Sequence, residues 1–230
     1  MLGLPAQITV ALFDLDGVLT TTATAHRAAW TEAFDAFLST QVDQPPFTEQ
    51  DYLDYVDGRP RMDGVRTFLA ARGIVVPDDV AEGIGAAKNA LFVAEVARGV
   101  DPYPGSVRYL NAARDAGLRI AVVTSSKNGA AVLEAAGLTG FVEERVDGNT
   151  IVEENLNGKP APDSYLRGAE LMGATPAQAA VFEDAISGVQ AGAAGDFGYV
   201  VGIDRVGGNQ AESMMAAGAS VVVTDLDELL

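Results

Sequence analysis

Five short runs of apolar residues recur along the chain without an alternating polar face. They predict β-strands at residues 8–13, 118–124, 179–182, 199–203 and 220–223. A strand that is apolar on both sides is typical of a parallel sheet covered on both faces. Between the later runs, helical periodicity predicts helices at 107–116, 129–136, 164–172, 188–194 and 211–217. Strands and helices in alternation indicate an α/β fold with right-handed crossovers and a Rossmann-like parallel sheet.

A block of purely helical pattern interrupts this alternation after the first strand. Helices are predicted at 22–38, 48–57, 62–72 and 80–98, and no strand pattern lies among them. We therefore expect residues 1–20 and 100–230 to form the Rossmann-like core. Residues 21–99 are expected to form an inserted all-helical cap domain that can act as a lid. The stretch 141–157 has no clear periodicity and receives no assignment.

Charge limits the classes of partner. The 230 residues include 32 acidic and 15 basic side chains, a formal net charge of −17. Such a surface repels nucleic acid and anionic membranes, so neither is expected as a partner. It also repels phosphorylated substrates, so a phosphate site must gather its own positive charge. Without cysteine, disulfides and thiol catalysis are excluded. The N-terminal residues lack a signal-peptide pattern and no apolar run reaches 18 residues, so we expect a cytoplasmic protein. We also expect a monomer.

Two aspartates follow the first strand on alternate positions. Asp14 and Asp16 point to the same side, and Gly17 allows a sharp turn after them. Ligands of open α/β sheets bind beyond the carboxyl ends of the strands, so these carboxylates are candidates for catalysis. The alternative is an ordinary Asp-Gly turn with solvated acids.

Three further stretches place polar groups near strand ends or in a loop. Thr124 ends the second strand, and the residues that follow it offer donors to an anion or simply cap a helix. Lys159 precedes a proline, which keeps it in an extended loop and out of a helix. Glu183 and Asp184 close another buried strand and are candidate metal ligands.

Together, these stretches resemble the four motifs of the haloacid dehalogenase superfamily, in the same order along the core. The helical block lies where the helical-cap members carry theirs. The resemblance implies that Asp14 is a nucleophile toward phosphate and Asp16 a general acid and base. It implies that Thr124 and Lys159 bind the phosphoryl oxygens. A Mg²⁺ ion would be held by the carboxylates of Asp14 and Asp184 and the main-chain carbonyl of Asp16, with Glu183 in support.

Within the superfamily, the cap resembles that of the β-phosphoglucomutase-like subfamily. The resemblance implies contacts to a phosphorylated sugar from the first cap helix, a cap loop, a cap lysine and the core phosphate loop. These candidates are Thr22, His26, Trp30, Gly58, Arg61, Lys88, Ser125, Ser126, Lys127 and Asn128. Without the resemblance, His26 would be read as a surface residue and Trp30 as cap packing. The three lysines of the chain, Lys88, Lys127 and Lys159, all fall at candidate positions.

The implied reaction converts β-glucose 1-phosphate to glucose 6-phosphate through an aspartyl-phosphate enzyme and a sugar bisphosphate. The alternative is a Mg²⁺-dependent sugar-phosphate phosphatase that uses the same residues; a non-catalytic sugar-phosphate regulator is a third reading. Thr21 and Asp57 depart from the subfamily pattern, which has an aspartate and in some members a lysine there. Arg59 is expected to be a solvated neighbour of Arg61. The acids Asp51, Asp54 and Asp57 are expected to form a solvated face.

Overall fold

A wholly parallel six-stranded sheet forms the centre of the computed structural model, which describes residues 2–230. The strands are β1 (Val10–Phe13), β2 (Arg119–Val123), β3 (Glu144–Val146), β4 (Ala179–Glu183), β5 (Tyr199–Ile203) and β6 (Val221–Val223). Their order across the sheet is β3-β2-β1-β4-β5-β6, and every neighbouring pair is parallel. The first strand in the sequence therefore lies inside the sheet, between β2 and β4.

Ten α-helices accompany the sheet in the described part of the chain. They are α1 (Thr22–Leu38), α2 (Glu49–Tyr55), α3 (Arg61–Ala71), α4 (Asp78–Val96), α5 (Pro104–Asp115), α6 (Gly129–Ala135), α7 (Gly148–Glu153), α8 (Asp163–Leu171), α9 (Ile186–Ala194) and α10 (Gln210–Ala216). The predicted fold class, a Rossmann-like sheet with an inserted helical block, is confirmed. None of the helices among residues 2–230 combines the length and the apolar character needed to cross a bilayer.

The two faces of the sheet bury separate apolar layers. Ala11 and Phe13 of β1 face one layer, which Tyr109 and Leu110 of α5 complete. Val10 and Leu12 of β1 face the other layer, against helices α8, α9 and α10. This alternation explains why the strand is apolar at every position.

The five strands expected from apolar runs are all present, with ends that differ by two residues or fewer. The unassigned stretch 141–157 contains β3 and α7. Strand β3 lies at the edge of the sheet, and two of its three residues, Glu144 and Arg145, are exposed. A short edge strand has no need of an apolar run, so the pattern did not reveal it.

Helices α1 to α4 share an aromatic core of their own. Phe34 lies at its centre, with its ring 4.3 Å from that of Phe68, 4.9 Å from that of Phe47 and 5.1 Å from that of Trp30. Two chain segments connect this block to the sheet. The amide of Thr21 donates to the carbonyl of Asp101 across them, at 3.0 Å. The division at residues 21 and 99 into a core and a cap domain stays a prediction.

The aromatic core gives a test of cap stability. Phe34 is fully buried, so Phe34→Ala should lower the free energy of unfolding by about 3–5 kcal/mol, because the cavity cannot close. Urea unfolding followed by circular dichroism measures this loss. Phe37→Ala, on the same helix but half-buried, should cost clearly less. Equal losses would contradict a core centred on Phe34.

Candidate active site

The register of the sheet brings three strand ends together. Phe13 of β1 lies opposite Val122 of β2 and Phe182 of β4. The next residues along these strands therefore emerge at one edge, and they include Asp14, Thr124 and Glu183. Because parallel strands all end on the same side, side chains from distant parts of the sequence meet there.

Lys159 joins two of these acids from below. Its ammonium donates to Asp14 Oδ1 at 2.6 Å, to Glu183 Oε1 at 2.5 Å and to the Val123 carbonyl at 3.2 Å. The Tyr165 hydroxyl donates to Glu183 Oε1 at 2.8 Å. Lys159 is fully buried. Burial alone would lower the pKa of its ammonium, but the charges of Asp14 and Glu183 raise that pKa above its ordinary value. The lysine therefore stays charged and is held in one place.

More negative charge gathers here than one ammonium can neutralise. Carboxylate oxygens of Asp14, Glu183 and Asp184 lie within 4.8 Å of one another. Burial raises the pKa of Asp14 to about 8 against the opposing charge of Lys159. Burial and then the charge of Asp57 raise the pKa of Asp184 well above its usual range. A cluster of hard oxygen donors with destabilised charges fits a divalent cation such as Mg²⁺.

Asp16 has a different environment. Thr22 Oγ1 donates to its Oδ1 at 2.5 Å, and His26 Nε2 lies 3.3 Å from the same oxygen. Although burial opposes it, His26 and Thr22 lower the pKa of Asp16 to about 2. Lys88 Nζ lies 2.5 Å from His26 Nδ1, and because an ammonium can only donate, the histidine proton is left on Nε2, facing Asp16. Burial lowers the pKa of His26, so the ring is neutral.

The loop after β2 is held by its own side chains. The amide of Ser126 donates to Thr124 Oγ1 at 3.1 Å, and the amide of Asn128 donates to Ser126 Oγ at 3.2 Å. Asn128 Nδ2 donates to Asn89 Oδ1 of α4 at 3.0 Å. The loop is thus fixed against the cap.

The loop between α2 and α3 closes over the sheet edge. Ser125 Oγ donates to the Gly58 carbonyl at 2.7 Å, and Ser187 Oγ donates to the Asp57 carbonyl at 2.8 Å. Gly58 has a φ of 72° and packs so closely that a Cβ there would collide with Ser187 and Ala185. Only glycine fits this position, so the loop is seated directly on the core.

One cavity lies between the helical block and this edge of the sheet. Fourteen of the predicted site residues line it. They are Asp14, Asp16, His26, Trp30, Gly58, Arg61, Lys88, Thr124, Ser125, Ser126, Lys127, Asn128, Glu183 and Asp184. Lys159 lies beneath Asp14 and Thr22 lies behind Asp16, so neither lines the cavity.

Seven of the lining residues were not predicted as site residues, and three of these carry a titratable side chain. Tyr52 was not singled out, and Arg59 and Asp57 were expected to face solvent but line the cavity. The expectation of a solvated face was also wrong for Asp51, which caps α2 and pairs with Arg72 at 2.7 Å. Asp54 is exposed as expected. The only sequence signal for Asp57 was its position beside Gly58.

Four cations also line the cavity. Among residues 2–230, Arg59, Arg61, Lys88 and Lys127 make no ion pair with a carboxylate, although the chain is strongly acidic. All four line this cavity. Burial lowers the pKa of Arg61, which indicates a partly desolvated guanidinium. These charges are available to an anion.

Comparison with known proteins agrees with this geometry. A family model described as haloacid dehalogenase-like hydrolase matches residues 8–196. The chain is 50% identical to a β-phosphoglucomutase of Mycobacterium tuberculosis, covering 100% of this chain and 94% of that protein. A hydrolase from Pseudomonas syringae is 25% identical with a TM-score of 0.82, covering 96% of this chain and 95% of that one. A β-phosphoglucomutase from Clostridium difficile, 23% identical, has the same fold with a TM-score of 0.82 over 97% of this chain and 93% of that one.

The buried Lys88 generates a prediction about pH. Burial lowers its pKa to about 7, whereas the unfolded chain holds that proton up to about pH 10. Between these values the unfolded state binds more protons, so the cost of burying Lys88 falls as pH rises. Lys88→Met should therefore raise the free energy of unfolding at pH 6 by ~2–4 kcal/mol, with a smaller gain at pH 9.

Urea unfolding at the two pH values measures these gains. Lys127→Met is the matched control, because Lys127 is exposed and the same substitution should change stability by no more than about 0.5 kcal/mol at either pH. A gain for Lys88→Met that is equal at both pH values would contradict the assignment.

Proposed function

The chain belongs to the haloacid dehalogenase-like hydrolase family, and within it we propose that the protein is a β-phosphoglucomutase. It interconverts β-glucose 1-phosphate and glucose 6-phosphate through an aspartyl-phosphate enzyme and a sugar bisphosphate. The proposal includes residues 1–20 and 100–230 as the catalytic core, residues 21–99 as the cap domain, and a cytoplasmic location.

One observation carries the proposal: cations without a carboxylate partner line the same cavity as Asp14, and we assign two phosphate regions to this cavity. Lys159 and Thr124 border Asp14 at the sheet edge and belong to the first region. Arg61, with Lys88 and Lys127, is assigned to the second region. A mutase must bind a bisphosphate at both ends, whereas a simple phosphatase needs only the first region. The Mycobacterium tuberculosis relative, which is 50% identical to this chain, is named β-phosphoglucomutase, and this supports the proposal.

Mg²⁺ fits the acid cluster. Asp14 and Asp184 would hold it through their carboxylates and Asp16 through its main-chain carbonyl, while Glu183 is engaged with Lys159 and supports the site. The cation would offset the repulsion between a carboxylate and a phosphate dianion, roughly 8 kcal/mol at 4 Å and an effective dielectric near 20. The raised pKa values of Asp14 and Asp184 support this need for positive charge.

Asp14 attacks phosphorus in line, and the bond from phosphorus to the sugar oxygen breaks as the aspartyl phosphate forms. Lys159 holds the attacking carboxylate in position, and Thr124 donates to a phosphoryl oxygen. In the other half-reaction the free 6-hydroxyl of β-glucose 1-phosphate attacks the aspartyl phosphate to give the sugar bisphosphate, and Asp14 leaves as a carboxylate. Attack of Asp14 on the 1-phosphate of that bisphosphate then releases glucose 6-phosphate and restores the aspartyl phosphate.

Asp16 moves the proton in each step. Its lowered pKa favours the carboxylate form, which accepts the proton of an attacking sugar hydroxyl. It then returns that proton to the leaving sugar oxygen in the reverse transfer. Thr22 and the neutral His26 orient it, because both contact Oδ1 and leave Oδ2 toward Thr124, at 3.3 Å.

A product assay tests the proposal. With β-glucose 1-phosphate, Mg²⁺ and a trace of glucose 1,6-bisphosphate, glucose 6-phosphate should form at least about a hundred times faster than free phosphate. A coupled dehydrogenase assay and a phosphate assay follow the two products. Asp14→Asn should abolish both, because the nucleophile is lost. Release of phosphate in step with substrate loss would instead identify a phosphatase.

A substitution on the cap tests the second phosphate region. Arg61→Ala should lower mutase kcat/KM by about 100-fold or more, because a buried guanidinium–phosphate contact contributes ~3 kcal/mol. Hydrolysis of p-nitrophenyl phosphate, which has no distal phosphate, should change less than about threefold. Arg66→Ala, an exposed arginine of the same helix, is the control and should alter neither rate. Equal losses in both reactions would count against a phosphate region at Arg61.

A further inference from the structure

The closed cap adds a carboxylate of its own to the acid side of the cavity. Asp57, in the loop between α2 and α3, lines the cavity together with Glu183 and Asp184 of the core. Its carbonyl accepts the hydrogen bond from Ser187 Oγ at 2.8 Å, and Tyr52 lines the same cavity.

Its position depends on closure of the cap. Gly58 packs directly on Ala185 and Ser187, the residues that follow Asp184 in the chain. The Pro60 ring packs as tightly against Gly158 of the core. Asp57 therefore comes beside Asp184 only when the cap is seated on the core. When the cap opens, these contacts separate and the carboxylate leaves with it.

The seated Asp57 has like charges for neighbours. Burial, and after it the charge of Asp57, raises the pKa of the Asp184 carboxyl well above its usual range. Lys159 already pairs with Asp14 and Glu183. Among residues 2–230 no cation forms an ion pair with Asp57, so the seated cap adds a further carboxylate charge to the acid side of the cavity.

We propose that Asp57 is a positioning residue that the cap supplies to the metal centre. Its charge strengthens binding of the divalent cation in the closed enzyme, and the bound cation in turn favours seating of the cap. The inference rests on the proposed function, which provides the cation. By linkage the two effects are equal in size, so a variant that weakens one weakens the other.

Calorimetric titration with MgCl₂ measures the first effect. Asp57→Asn keeps the shape of the side chain and removes its charge. It should raise the dissociation constant for Mg²⁺ at least about fivefold, equivalent to ~1 kcal/mol. Asp54→Asn is the matched control, because it removes the same charge from an exposed position on the same cap and should stay within twofold of the wild type.

Fluorescence transfer across the closure measures the second effect. The chain has no cysteine, so Val75→Cys on the cap and Val152→Cys on the core, both at exposed positions, provide specific labelling sites. Addition of Mg²⁺ should change the transfer efficiency of the wild-type pair. In the Asp57→Asn background that change should be at most half as large, with the metal-free efficiency already shifted toward the metal-bound value. Circular dichroism melting verifies that each variant is folded.

Asp184→Asn distinguishes a failure of the role proposed for Asp57 from a failure of the metal centre. If this variant loses Mg²⁺ binding while Asp57→Asn binds within twofold of the wild type, the role of Asp57 is overturned and the metal centre stands. If Asp57→Asn binds weakly but closes with the wild-type dependence on Mg²⁺, the linkage is overturned. If the wild-type protein binds no Mg²⁺, the inference and the metal of the proposed function fall together.

Discussion

A single buried ammonium holds the candidate active site together. Lys159 contacts Asp14 from β1, Glu183 from β4 and the last carbonyl of β2, so one cation ties three strand ends to each other. A charge in this position would be costly alone, but two carboxylates and a carbonyl satisfy it. The acids around it are packed closely against glycines. A Cβ at Gly188 would collide with Glu183, and a Cβ at Gly17 would collide with Asp184.

The same acids make the site incomplete without more positive charge. Three carboxylates lie close together, Lys159 pairs with two of them, and burial raises the pKa of Asp14 and of Asp184. This explains how a protein of net charge −17 can be suited to an anionic substrate. Arginines elsewhere pair with surface acids, as Arg167 does with Glu154 and Glu170. The cations that line the cavity have no such partners, so their charge is available to phosphate.

Closure of the cap unites these two regions. The aromatic core around Phe34 keeps helices α1 to α4 together, so the loop with Gly58 and Arg61 can be placed on the sheet edge as part of one body. The loop is attached to the core by two hydrogen bonds, which Ser125 and Ser187 donate to its carbonyls, and by the close packing of Gly58 on Ala185. Individual hydrogen bonds of this kind contribute about 0.5–1.5 kcal/mol. The charge of a bound ligand or cation can then shift the balance.

The sequence by itself determined the strands, nearly all of the helices and the place of the helical insertion. Apolar runs and helical periodicity are local properties, and the sheet buries both faces of its inner strands. Motif order was also sufficient to select residues that now line one cavity, although their catalytic roles stay proposals. The sequence did not predict the short edge strand β3, because two of its three side chains face solvent.

Tertiary structure alone decided which polar residues face the cavity. Asp57 and Arg59 belong to a polar loop that looks solvated in the sequence, and they enter the cavity only because Gly58 seats that loop on the core. Thr22 and Lys159 lie behind Asp16 and Asp14 and donate hydrogen bonds to their carboxylates, which the sequence alone did not show. The direction in which a polar side chain points depends on contacts between segments far apart in the chain, and no local pattern records those contacts.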